Sequence, residues 1–132
     1  MAIPTLVRDA DAVGQMFIGA LARQDWAGLE ACFGRDVQFR ALTPNGLREA
    51  TGAEPAAKYL RRWFGDADQM LLEASDVQPV QDRTRITYRF REHEDRWYEV
   101  EQQAYFTIKD DAIDRMDLLC SGFHPVPNTR PA

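Results

Sequence analysis

A chain of 132 residues, 45% apolar and 28% charged, has the balance of one globular domain built around a single core. Its net charge of −5 and its arginines, scattered among acids as in "RFREHEDRW", offer no basic stripe, so nucleic acid is not an expected partner. The apolar runs fall far short of the roughly 20 residues a membrane span needs. The start, "MAIPTLVRDAD", lacks a cationic segment followed by an apolar one, so a cytoplasmic protein is expected, with no membrane association.

The first third has helical periodicity. "RDADAVGQMFIGALARQD" places Val13, Met16, Phe17, Ala20 and Leu21 on one face, with Asp9 and Asp11 near the start, where the helix dipole favours acids. Asp25 is a candidate N-cap for a short second helix, "WAGLEACF", with Trp26, Leu29 and Phe33 on its apolar side and Gly34 as its stop. "DVQFRAL" alternates as a strand with Val37, Phe39 and Ala41 on one side, "TPNG" is a turn, and "LREATG" a short return strand. A third helix follows in "AEPAAKYLRRWFGD", with Pro55 tolerated in its first turn. Ala56, Tyr59, Leu60, Trp63 and Phe64 form its apolar face, and Gly65 closes it.

From Gln69 the period changes to two. In "QMLLEASDVQPVQ", Met70, Leu72 and Ala74 agree on one face but Val77 and Val80 do not, which with Pro79 indicates a bulge or bend. "RTRITYRFRE" turns Ile86, Tyr88 and Phe90 to one side, and "HEDR" is taken as the hairpin turn. "WYEVEQQAYFTI" places Tyr98, Val100, Gln102, Ala104, Phe106 and Ile108 on its inner face. "AIDRMDLLCSGF" does the same with Met116, Leu118, Cys120 and Gly122. The proline-rich tail carries no expected regular structure from residue 125 to 132. Helices first and antiparallel strands last predict an α+β domain, with three N-terminal helices on one face of a strongly curved, mainly antiparallel sheet of four to six strands. Such a sheet makes a cone-shaped barrel enclosing a cavity, with residues 1–132 as one domain and its core at about 9–124.

This order resembles the nuclear transport factor 2-like superfamily, which includes ketosteroid isomerases, SnoaL-like polyketide cyclases, limonene epoxide hydrolases and scytalone dehydratases. The residues that carry the resemblance are "LARQDWAGLEACFGRDVQFRALTPNG", "GAEPAAKYLRRWF" and "YFTIKDDAIDRMDLL". The fold hosts many unrelated activities, so the resemblance bears on architecture more than on chemistry. Carried over residue by residue, the isomerase machinery is missing. The carboxylate base would fall on Ala41, the tyrosine oxyanion donor on Phe17, and the protonated carboxyl donor on or near Ala104. Of the two pocket histidines of a scytalone dehydratase, only His124 is available, and no Asp–Arg–Asp set of the epoxide hydrolase kind falls on inward positions. The resemblance also implies a homodimer through the outer sheet face.

The polar groups expected inside are Tyr88, Tyr98, Gln102 and Cys120, with His124 at the mouth and Tyr59 and Trp63 as a wall from the third helix. Each has an ordinary structural role as the alternative: core tyrosines, core aromatics at helical spacing, a buried thiol behaving as a small hydrophobe. Gln102 is an amide on an apolar face and must find partners, either across the hairpin at Tyr88 or on a ligand. Asp76 joins the inward set only if the strand's irregularity resets its phase, and would then be a candidate base. Neither a metal nor a cofactor is called for: there is no HExxH, CxxC, P-loop or GxGxxG. Cys32 and Cys120 lack metal-like spacing, and a disulfide between them stays open. The expected function is a cofactor-independent isomerase, dehydratase or cyclase acting on a small hydrophobic substrate. Asp76 or His124 would move protons while Gln102, Tyr88, Tyr98, Cys120, Tyr59 and Trp63 bind. The alternative is a non-catalytic binding or dimerisation module of the same fold, which the missing base at position 41 favours.

Overall fold

The computed structural model describes residues 9–127. Helix α1 (Ala10–Arg23) starts where the Asp9 carboxylate accepts from the Ala12 amide at 2.8 Å, and ends at Gln24, whose φ of 53° puts it in the left-handed region. Asp25 caps α2 (Trp26–Glu30) by accepting from the Gly28 amide at 3.0 Å. Phe33 and Gly34, expected at the end of this helix, instead begin β1 (Phe33–Thr43). A turn leads to β2 (Gly46–Thr51), and α3 (Ala53–Phe64) follows. The long strands are β3 (Gln69–Val80), β4 (Arg83–Glu94), β5 (Arg96–Lys109) and β6 (Ala112–Cys120). A short β7 (His124–Pro125) in the tail pairs with β5, so regular structure reaches beyond the expected end of the core. Residues 128–132 lie outside the described part, as do residues 1–8.

The sheet order is β2-β1-β6-β5-β4-β3, with β7 added against β5. All pairings are antiparallel except β1 with β6, which lie parallel. That parallel contact joins the N-terminal strand pair to the C-terminal meander and could not be read from local pattern. The expectation of an α+β fold with helices on one face of a curved sheet holds. The sheet is curved but unclosed.

Alternation sets the concave face. Ile86, Tyr88 and Phe90 of β4, Val100, Gln102, Ala104 and Phe106 of β5, Met116 and Leu118 of β6, and Phe39 and Ala41 of β1 are all buried. Against them pack Phe17 and Leu21 of α1, Leu29 of α2, and Ala56, Leu60 and Phe64 of α3. On α1, Met16 is 40% exposed while Ile18 is buried, so the buried stripe is turned slightly from the expected one. The face is filled rather than hollow where the helices cover it: the Tyr88 ring lies 6.1 Å from that of Phe17 and 5.7 Å from that of Phe90. The buried polar side chains of the concave face, Thr84, Tyr88, Gln102 and Glu92, are spread along it, and clefts open at the end that holds Glu92 and Tyr98. No helix among the described residues is long and apolar enough to cross a membrane.

Candidate functional site

Strand register shows which side chains share the concave face. One cross-strand row contains Ser75, Tyr88, Gln102 and Cys120; the row nearer the open end contains Met70, Glu92 and Tyr98. In the first row, Tyr88 donates its hydroxyl to Gln102 Oε1 at 2.5 Å. Burial, and to a lesser degree the neighbouring Cys120 thiol, push the Tyr88 hydroxyl well above its ordinary pKa, so it remains a donor. Gln102 is 1% exposed, and its Nε2 has no partner among the described residues. The amide is thus bonded across the hairpin on one side only, behind the Cys120 side chain that meets it in register. Neither Gln102 nor Tyr88 lines the clefts described below.

Those clefts lie at the open end. The first, about 390 Å³, is lined by Pro44, Arg48, Trp63, Cys120, Phe123 and His124, among others. The second, about 260 Å³, is lined by Arg62, Trp63, Glu92, Glu94, Tyr98 and Phe123. Trp63 and Phe123 border both. Phe123 is fixed by an edge contact with Phe64, centroids 5.4 Å apart. The segment after β6 reaches this place because residue 122 is glycine: its φ is 87°, and a Cβ there would come within 2.8 Å of Pro44 Cγ. His124 is exposed, and its Nε2 lies 2.9 Å from Ser121 O. A carbonyl only accepts, so Nε2 carries a proton and Nδ1 is the nitrogen left for other partners.

Two sequence expectations need correction. The irregularity of β3 falls between Leu72 and Ala74, not near Pro79. It puts Val77 opposite Ile86 on the concave side and Asp76 opposite Thr87 on the outer side. Asp76 is half exposed there, 3.9 Å from Arg85, and does not reach the clefts. Tyr59 stacks on Phe39 at 6.2 Å and borders a separate recess with Glu49, Pro55 and Arg62. The structure therefore brings Trp63, Tyr98, Cys120 and His124 to the open end, leaves Tyr88 and Gln102 beneath it, and separates Asp76 and Tyr59 from it.

The residue that the sequence reading passes over is Glu92. It is 2% exposed, its Oε2 has no partner, and it forms no ion pair among the described residues. Burial, reinforced by the negative charges of Glu94 and Asp66, raises its carboxyl from an ordinary 4.5 to about 7. The signal was present: the phase of Ile86, Tyr88 and Phe90 continues to position 92. The expected strand "RTRITYRFRE" ends at Glu92 with "HEDR" as the turn, but β4 extends to Glu94 and the chain reverses at Asp95, whose φ is 64°.

Among known proteins, the model of the SnoaL-like domain matches residues 14–116. No curated protein matches. Solved structures with this fold include an M. tuberculosis epoxide hydrolase of the limonene epoxide hydrolase-like kind, 16% identical, with a TM-score of 0.67 over 85% of this chain and 82% of that one. A provisionally assigned polyketide cyclase from Xanthomonas campestris pv. campestris is 21% identical, with a TM-score of 0.65 over 81% and 86%. A ketosteroid isomerase-like protein from Catenulispora acidiphila, solved with trimethylamine, is 13% identical, with a TM-score of 0.66 over 80% and 82%. At these identities the structures show a shared fold. With the domain match covering most of the chain, the protein belongs to the SnoaL-like family and shares the nuclear transport factor 2-like fold.

Proposed function

We propose that the protein is a cofactor-independent enzyme of the isomerase, dehydratase or cyclase type, with its reaction centre at the open end of the curved sheet and Glu92 as its proton-transfer group. The observation that carries this is a buried carboxyl group bordering a cleft walled by Trp63, Tyr98 and Phe123 together with Arg62 and Glu94, with one oxygen unpartnered among the described residues. A carboxyl with a pKa of about 7 is present in both protonation states at neutral pH, which suits it to taking a proton from one atom and returning it to another. Trp63, Phe123 and Tyr98 supply an apolar wall with a phenol, and His124 and Cys120 border the adjoining space. Glu92 takes the role first expected of Asp76, and it occupies a strand position different from the empty Ala41. Gln102 and Tyr88 support the site from beneath by joining β4 to β5 through their side-chain hydrogen bond.

Proton transfer is testable without a known substrate. In D2O, a panel of small lipophilic ketones is followed by NMR for exchange of the hydrogens next to the carbonyl. Wild type is expected to accelerate exchange in at least one panel member, and Glu92→Gln to lose roughly 100-fold or more of that acceleration, the usual contribution of a positioned acid–base group. Unchanged exchange in Glu92→Gln would remove Glu92 from the chemistry. Ligand binding with no exchange anywhere in the panel would favour the non-catalytic binding module.

The same proposal includes a homodimer through the outer sheet face. On that face Leu47, Leu42 and Leu119 lie in one cross-strand row, each more than 40% exposed, with Gln103 completing the row on β5. An apolar row of this kind on a β-sheet is better covered than solvated.

A further inference from the structure

We propose that the larger cleft binds the anionic end of a small amphipathic monoanion, a carboxylate held by Arg48 with its apolar body along Trp63 and Phe123. This rests on the site assigned above and names its ligand class. Arg48 lies opposite Ala41, and Ala41 opposite Leu118, so the guanidinium stem rises from the concave side of β2 rather than from the outer face. Three described arginines are half buried. Arg85 is within 3.9 Å of Asp76, and Arg91 within 3.3 Å of Glu73 and 3.5 Å of Glu99. Arg48 has no carboxylate among the described residues, and its only side-chain hydrogen bond described goes to Leu47 O at 3.2 Å. A half-buried guanidinium with no acid beside it among the described residues, in a chain carrying a net charge of −5, is suited to an anion, and its planar fork matches a carboxylate.

The shared wall sets the rest of the ligand. Trp63 and Phe123 border both clefts, so a body lying along them has one end at Arg48 and the other toward Glu92. The Glu92 end carries Glu94 and is influenced by Asp66, three acids against the one lining guanidinium of Arg62, so a second negative charge there is disfavoured. A cleft of about 390 Å³ holds a one- or two-ring molecule. The site therefore selects an apolar molecule charged at one end only.

Binding is read by calorimetry at pH 7.5 with three probes: naphthalene-2-acetate, its uncharged amide, and naphthalene-2,6-dicarboxylate. The acetate is expected to bind at least tenfold more tightly than the amide and than the dicarboxylate. Arg48→Gln should abolish the preference for the acetate while leaving amide binding unchanged, which also reports that the variant is folded. Arg61→Gln, on the exposed side of α3, should leave all three unchanged. Equal affinity for acetate and amide, retention of the preference in Arg48→Gln, or no acetate binding at millimolar concentration would each overturn the proposal. Glu92→Gln should keep the Arg48-dependent preference even where it loses proton exchange, so the two assignments fail separately.

Discussion

Glu92→Gln should change how the stability of this protein depends on pH, and the sign follows from the burial of the carboxyl. In the unfolded chain Glu92 titrates near its ordinary value of 4.5, and in the folded chain near 7. Below pH 4.5 the group is protonated in both states and its favourable contribution relative to the ionised form is complete. Between 4.5 and about 7 the folded chain keeps a proton that the unfolded chain has released, so stability falls by up to ~1.4 kcal/mol per pH unit. Above about 7 both states are ionised and the loss is constant, at roughly 3 kcal/mol. Glutamine at this position does not titrate. The unfolding free energy of Glu92→Gln minus that of wild type should therefore rise by about 3 kcal/mol from pH 4 to pH 8. Urea unfolding at one-unit pH steps, followed by tryptophan fluorescence, measures that difference while titrations common to both proteins cancel. A constant offset is expected from fitting the amide into the site and does not affect the slope. A difference that is flat with pH, or that falls, would show that Glu92 is not held in a charge-disfavouring environment, and would remove the physical basis for its role in proton transfer.

Two further outcomes follow from the register of the sheet. Gln102→Leu should cost about 1–3 kcal/mol because it leaves the Tyr88 hydroxyl buried without an acceptor, whereas Tyr88→Phe with Gln102→Leu should recover most of that loss, since no orphaned hydroxyl remains. Denaturant unfolding of the two single variants and the double variant gives the coupling, and a double variant that costs the sum of the singles would contradict it. Leu119→Glu should convert a dimer to a monomer in sedimentation velocity without lowering the unfolding midpoint of the isolated chain, and a monomeric wild type would refute pairing through this face.

The open end illustrates where local pattern stops. The alternation of β5 places Gln102 inside, and the structure finds it there, bonded to Tyr88 as the hairpin alternative required. The same alternation rule, followed one step further along β4, reaches Glu92. Glu92 closes the expected strand beside the charged "HEDR" turn and is not among the expected inward residues, because side-chain polarity is poor evidence of exposure for a carboxyl that the fold buries. Asp76 failed for the opposite reason. Its side of the strand depends on where one extra residue is accommodated, and a bulge at Leu72/Ala74 rather than near Pro79 reverses it.

The sequence by itself determined the element order, the α+β class, the helix cap at Asp25, and the inner face of the meander, since these depend on period and on residues a few positions apart. Tertiary structure decided what stands beside what at the uncovered end. The parallel contact of β1 with β6 carries Arg48, two strands away, to the cleft that also holds His124. Gly122 lets the chain pass Pro44, and α3 places Trp63 between that cleft and Glu92. Those neighbours are separated by tens of residues in the chain, and their proximity follows from sheet curvature and packing, which no short-range periodicity encodes.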